Sequence, residues 1–262
     1  RLDRPALLAS FPQFRIADDA VGVLEPHAGF LLPELAVRTF VMLAGLAGAM
    51  IHQEEPVRRW RTESSHVEVE TDRTTYSAQH VVFCGGAWSA KLLRDLGVKL
   101  VVTRQVMGWV TPAEPGSFLL GMMPVWGMEA PDGSLYYGFP LRSEEPGLKV
   151  AHHVRGPVTD PDTDDRVPTA ADDQSIRRIA SHCLHAASGP TAAMKVCFYT
   201  NSPDSHFIID LHPAHPRASF ASGFSGHGFK FASVVGEVMA DLAMHGRSEL
   251  PIGFLRLGRG FN

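Results

Sequence analysis

The chain of 262 residues is poor in cysteine, tryptophan and tyrosine, has no large excess of either charge sign, and contains no long apolar run. Its three cysteines, Cys84, Cys183 and Cys197, are widely separated and show no Cys-x-x-Cys spacing. That excludes a disulfide framework and gives no reason to expect a thiolate zinc site. Free thiols suit a reducing compartment, so a cytoplasmic location is the expectation. Lys and Arg number 24 against 28 Asp and Glu, and no basic block exceeds a pair. Neither nucleic acid nor an anionic membrane surface is therefore an expected partner, and small molecules are. The longest apolar stretch, 40 to 51, contains Gly45 and Gly48 and falls short of the roughly 20 residues that span a bilayer. No signal peptide is visible and the chain opens on Arg1, so a fragment of a longer protein is expected.

What the chain does have is apolar content, 45% of residues, enough to bury a large core, and one unusual glycine cluster. Gly223-Phe224-Ser225-Gly226-His227-Gly228-Phe229-Lys230 places three glycines in six residues, directly before an apolar periodic segment. Val235, Val238, Met239 and Leu242 recur at helical spacing, and Gly246 stands where a helix C′ residue belongs. The reading is a glycine-rich loop opening a helix, with Lys230 at the junction. Glycines let backbone N–H groups approach a ligand, and the helix start favours negative charge in front of it. A nucleotide P-loop needs glycine followed at once by lysine and a hydroxyl residue, whereas Phe229 and Phe231 flank Lys230 here. Tight packing of a buried turn is the alternative explanation for these glycines.

The remainder reads as mixed α/β. A helix is expected over 31–51 and short strands over 57–60, 67–70 and 80–84, the alternation Val67-Glu68-Val69-Glu70 suggesting a hairpin with one wet face. Val81 to Cys84 then meets Gly85-Gly86 before a helix expected to reach about Leu96, a second candidate phosphate or dinucleotide contact. From 100 to 199 short strands dominate, at 101–110, 119–120, 135–139, 148–154 and 193–199, which implies an antiparallel sheet. A Pro-, Asp- and Thr-rich loop over 156–173 leads into a helix expected over 173–187. The pair His152-His153 has no third or fourth ligand at a recognisable spacing, so no metal site is expected.

Several of these segments, taken in order, resemble one family. Tyr136-Tyr137-Gly138-Phe139-Pro140, Gly147-Leu148-Lys149, Cys197-Phe198-Tyr199-Thr200, His206 to Pro213 and Gly223 to Lys230 are similar to segments of the monomeric sarcosine oxidase and N-methyltryptophan oxidase flavoenzymes. The similarity runs from about Glu25 to Phe261. It implies two intergrown domains: an FAD-binding domain over 28–99 and 205–262, and an antiparallel substrate domain over 1–27 and 100–204. It also implies oxidation of a secondary, N-methylated amino acid by hydride transfer to FAD, with O2 reduced to H2O2.

Residue by residue, the resemblance places covalent FAD on Cys197, whose bland alternative is a small buried hydrophobe. It gives Lys149 a role in oxygen reduction at the flavin, although a strand lysine could equally point to solvent. Tyr137 and His153 would line the substrate cavity, and Lys230 would help bind the substrate carboxylate. The backbone of Gly226, His227, Gly228 and Phe229 would face the flavin, and Val57, Gly85, Gly86 and Ala87 would contact its adenosine and ribityl parts. Whether Trp109, Trp126 and Met128 line the cavity is open. The family's N-terminal βαβ unit with its Gly-x-Gly-x-x-Gly loop has no counterpart in this sequence, nor has an early arginine for the carboxylate. The expected identity is thus the larger C-terminal part of such an oxidase, lacking the pyrophosphate site. The alternatives are a relative that passes electrons to another acceptor, or a non-catalytic module that keeps the fold.

Overall fold

A computed structural model describes residues 1–260; Phe261 and Asn262, the last residues of the expected segment 205–262, lie outside the described residues. Helix α1 (Arg4–Ser10) is capped by the Asp3 carboxylate, which accepts the Ala6 N–H at 3.0 Å. Helix α2 (Pro33–Leu46) starts on proline and stops short of the expected residue 51, because Gly48 takes a left-handed turn at φ 92°. None of its residues is buried, and Leu35, Phe40, Met42 and Leu46 are exposed.

Strands β1 (Val57–Thr62), β2 (Val67–Thr71) and β3 (Thr75–Ala78) form an antiparallel sheet in that order. Val67 is fully buried, while Glu68 and Glu70 pair with Arg61 and Arg59 of β1, which is the expected wet face. Strand β4 (Val81–Phe83) follows, but the helix expected to run to Leu96 is broken into a 3₁₀ turn Gly86–Trp88, a single turn α3 (Ser89–Leu92) and a second 3₁₀ turn Arg94–Leu96. The Trp60 indole N–H donates to the Leu92 carbonyl at 2.9 Å, and Leu96 N–H turns back to Leu93 O. The carbonyl that a continuing helix needs is thereby diverted.

Strands β5 (Val101–Val110), β6 (Trp126–Glu129), β7 (Leu135–Gly138), β8 (Leu148–His153) and, after helix α4 (Ala170–Cys183), β9 (Thr191–Asn201) make a five-stranded sheet ordered β6-β7-β8-β5-β9. From β6 through β7 and β8 to β5, neighbouring strands run antiparallel. Leu119 and Leu120 form only isolated bridges, with Leu141 and Met123, and not the expected strand. Helix α4 begins three residues before the expected 173, because Thr169 and Asp172 form a reciprocal capping box. It ends at Cys183 instead of 187, where Leu184 swings into an extended conformation and bridges Phe14.

Strands β10 (Ile208–His212) and β11 (His215–Ser222) form a hairpin, and β11 also pairs with β4 in parallel. Helix α5 (Ala232–His245) ends at Gly246, left-handed at φ 69°, as expected.

The chain divides into two compact units, one of residues 1–30 and 104–197, the other of residues 31–103 and 198 onward. In the first, Ile176, Ile179, Ala180 and Cys183 of α4 pack with Val110, Trp126, Leu148 and Val150 of the sheet. Gly108 permits this approach, since a Cβ there would lie 2.5 Å from Ile176. In the second, alternate residues of the hairpin bury both faces. Ile208, Ala218 and Phe220 join Phe83, Leu93 and Leu96, whereas Ile209 and Ala221 join Val238, Met239 and Leu242 of α5.

Candidate functional site

The candidate residues fall into two groups, one in each unit. In the first unit, β8 places Leu148 and Val150 in the core beneath α4, so that Lys149, Ala151 and His153 occupy its other face. Tyr137 of β7 is the direct partner of Ala151, and Trp109 of β5 is the direct partner of Lys149. Tyr137, Lys149, His153 and Trp109 therefore share one face. Lys149 is half-buried, its Nζ 5.3 Å from the centre of the Trp109 ring and 5.1 Å from that of Phe139. A cation over two aromatic faces is stabilised by their quadrupoles in surroundings that would otherwise disfavour it. Lys149 is thus neither enclosed in the core nor fully exposed, but lies over two aromatic rings. Trp109 is held by its indole N–H donating to Glu145 at 2.7 Å, and Phe139 packs edge-on against Tyr137 and Phe30.

Cys197, on β9, is partly buried. Burial pushes its thiol up from the ordinary value, and the Lys149 charge pulls the other way, which puts these two residues within electrostatic reach. Trp126 and Met128 belong to the core under α4 and not to this face. His152 and His153 point to opposite faces of β8, so they cannot act as a metal pair. His152 lies against Tyr136, whose ring also meets His182 of α4.

In the second unit the glycine loop joins β11 to α5. Gly226 is left-handed at φ 83°, and a Cβ on it would lie 2.3 Å from the Tyr199 ring; a Cβ on Gly228 would lie 2.4 Å from Phe224. Packing thus accounts for two of the glycines. It also fixes the loop's shape, since Ser225 N–H donates to Thr200 O at 3.0 Å and its hydroxyl donates to Gly223 O at 3.0 Å. The His227 ring donates through Nε2 to Ser205 O at 3.1 Å, which turns the imidazole back into the protein. Phe229 and Lys230 lie in a 3₁₀ turn that leads into α5, and exposed Lys230 donates to His227 O at 2.8 Å. Gly85, Gly86 and Ala87 form the turn after β4, Gly86 left-handed at φ 51° with open space around it. Val57 opens β1, on a different sheet from β4.

Two buried hydroxyls bear on what these turns hold. Ser222 Oγ, at the entrance to the glycine loop, and Ser89 Oγ, just after the Gly85-Gly86 turn, have no hydrogen-bond partner among the described residues. Unsatisfied buried hydroxyls beside backbone turns of left-handed glycine suit a polar ligand that supplies the missing partners.

A mixed α/β chain with this antiparallel sheet and this loop falls in a known class. Residues 1–242 match the family described as FAD dependent oxidoreductase, and the chain belongs to that family. It is 40% identical over 255 residues to monomeric sarcosine oxidase of Streptomyces avermitilis, covering 96% of this chain and 66% of that protein. It is 37% identical over 269 residues to N-methyl-L-tryptophan oxidase of Shigella dysenteriae serotype 1, covering 99% of this chain and 68% of that protein. The solved structure of NikD, an unusual amino acid oxidase essential for nikkomycin biosynthesis, in its open form, shares the fold, with a TM-score of 0.80 at 23% identity over 97% of this chain and 67% of that one. The chain spans about two thirds of the length of these relatives.

Proposed function

We propose that the chain supplies the substrate side and the flavin-facing loop of an FAD-dependent oxidase of secondary, N-methylated amino acids such as sarcosine. The observation that carries this reading is Lys149, half-buried between Trp109 and Phe139 on the face it shares with Tyr137 and His153. Residues 28–99 and 205–262 would serve the cofactor, and residues 1–27 and 100–204 the substrate. Bound FAD would supply the electron sink, accepting a hydride from the amine carbon and passing electrons to dioxygen to give an imine and hydrogen peroxide.

The roles of the protein groups follow from their chemistry. Dioxygen gains negative charge as it takes electrons, and the fixed ammonium of Lys149 lowers the energy of that charge. Tyr137 and His153 orient the amine and bias it toward its neutral form, from which hydride leaves readily. Lys230, at the start of α5, attracts the substrate carboxylate. The loop from Gly226 to Phe229 would offer the flavin its backbone donors other than the His227 N–H, which is given to Phe224 O at 3.1 Å, and Gly85 to Ala87 with Val57 would serve its adenosine and ribityl parts. Cys197 is the attachment point for FAD through its sulfur, the Lys149 charge offsetting part of the burial that disfavours its thiolate.

Acid precipitation of the complete gene product tests the attachment. Yellow colour that stays with the pellet, and is released to the supernatant by Cys197→Ser, supports it. Colour wholly in the supernatant from the unaltered protein contradicts it.

A further inference from the structure

A hairpin turn and a crossover segment bring together three side chains that the proposed oxidase chemistry does not use. His212 closes β10 and His215 opens β11, with Pro213 and Ala214 between them, and the two imidazole rings lie 4.6 Å apart. Asp95, in the 3₁₀ turn Arg94–Leu96, reaches both. Its Oδ1 is 3.1 Å from His212 Nε2 and its Oδ2 is 3.3 Å from His215 Nε2. One ligating atom from each residue lies within 4.8 Å of the other two. A tetrahedral ion with bonds near 2.1 Å needs ligand atoms about 3.4 Å apart, so small side-chain movements suffice to enclose one.

The surroundings are built as well as close. Thr62 Oγ1 lies 2.7 Å from His215 Nδ1, the outer contact that fixes ring orientation in histidine ligands and leaves Nε2 directed at Asp95. The His212 side chain is fully buried, whereas that of Asp95 is 49% exposed, which gives an ion a path in and room for a water as fourth ligand. Trp60 walls the site, its ring 4.9 Å from His215 and 5.7 Å from His212, anchored by its hydrogen bond to Leu92 O. Two imidazoles and one carboxylate suit zinc and its transition-metal neighbours, not calcium or magnesium, which prefer oxygen.

We propose that Asp95, His212 and His215 bind a divalent transition-metal ion of the zinc type, tying the segment after β4 to the β10–β11 hairpin. One contact opposes binding. Ala214 N–H donates to His212 Nδ1 at 3.3 Å, which puts the ring proton on Nε2 in the metal-free chain. An ion at Nε2 moves that proton to Nδ1 and gives up this long hydrogen bond, so the affinity is moderate.

Calorimetric titration of the EDTA-stripped, reduced complete gene product with zinc chloride should show a saturable site, with a melting temperature that rises with zinc. Asp95→Asn and His215→Gln should each weaken binding by about tenfold or more, and Cys84→Ser should leave it unchanged. Cobalt(II) bound to the unaltered chain provides a second readout that requires no variant to fold. Visible bands of nitrogen and oxygen coordination, without thiolate charge transfer, support the site. Absence of saturable zinc binding, a thiolate cobalt spectrum, or unchanged affinity in a folded Asp95→Asn chain would overturn it.

Discussion

Lys149 and Trp109 are direct cross-strand partners on β8 and β5, with the ammonium nitrogen 5.3 Å from the centre of the indole. The pairing explains how a half-buried lysine is tolerated: the ring face stabilises the cation and keeps it extended over the sheet. On the proposed reading, Lys149→Met conserves most of the volume and removes the charge. Separate measurement of the two half-reactions in the complete gene product should show oxidation by dioxygen slowed far more than reduction by substrate. Equal slowing of both would remove the assigned role.

Gly226 of the loop and Gly236 of α5 tolerate a side chain very differently. Gly226→Ala puts a methyl group 2.3 Å from Tyr199 at a left-handed φ, whereas a methyl group on Gly236, inside α5, would meet nothing within 4 Å. Gly226→Ala should destabilise the chain by roughly 1–3 kcal/mol, and Gly236→Ala should stabilise it by about 0.5–1 kcal/mol. Urea denaturation of both variants checks the contrast.

Arg259 is linked to that loop through Asp204 and Ser202. Its guanidinium donates to both carboxylate oxygens of Asp204, at 2.9 and 3.1 Å, and to His206 O at 3.1 Å. Asp204 in turn accepts from Ser202, whose N–H donates to Ser225 Oγ at 3.3 Å. The pair holds the Asp204 carboxyl well below the usual carboxylate range. Arg259→Met should cost roughly 1–3 kcal/mol, because a largely buried carboxylate loses its partner. Hydrogen exchange should quicken over 200–206 and 223–228 while the core of α4 stays protected.

The Asp172 carboxylate accepts from Arg104 at 2.9 and 3.0 Å and closes the Thr169 capping box, and these bonds lower its pKa in the fold. The folded value lies below the unfolded one of about 3.9. The stabilisation is therefore complete above the unfolded value and is lost as pH falls through the folded one. Asp172→Asn should cost roughly 1.5–3 kcal/mol at neutral pH. The gap to the unaltered chain should narrow steadily when denaturation is repeated at acid pH.

Local signals account for what the sequence made visible. Three glycines before an i, i+3, i+4 apolar pattern mark the loop and α5, and strand alternation marks β5 and β8. The break after α3 was hidden because its cause, the Trp60 indole bonded to Leu92, lies 32 residues upstream. The β10–β11 hairpin was hidden as strand by Pro216 inside β11. Trp109 and Phe139 as flanks of Lys149 depend on strand register, which periodicity does not fix; only the alternation of Leu148, Lys149 and Val150 hinted at it. The cluster of Asp95, His212 and His215 joins positions 117 residues apart, and His152-His153, the conspicuous pair in the sequence, straddles its strand.

Flavin reduction by a secondary amine is the step on which the proposed function depends. The flavin-loaded complete gene product, mixed anaerobically with sarcosine and with N-methyltryptophan, should lose its yellow absorption with at least one of them. Admission of air should restore the colour and release hydrogen peroxide in proportion to amine consumed. Persistent yellow colour with every secondary amino acid tried, or bleaching that air does not reverse, would contradict it.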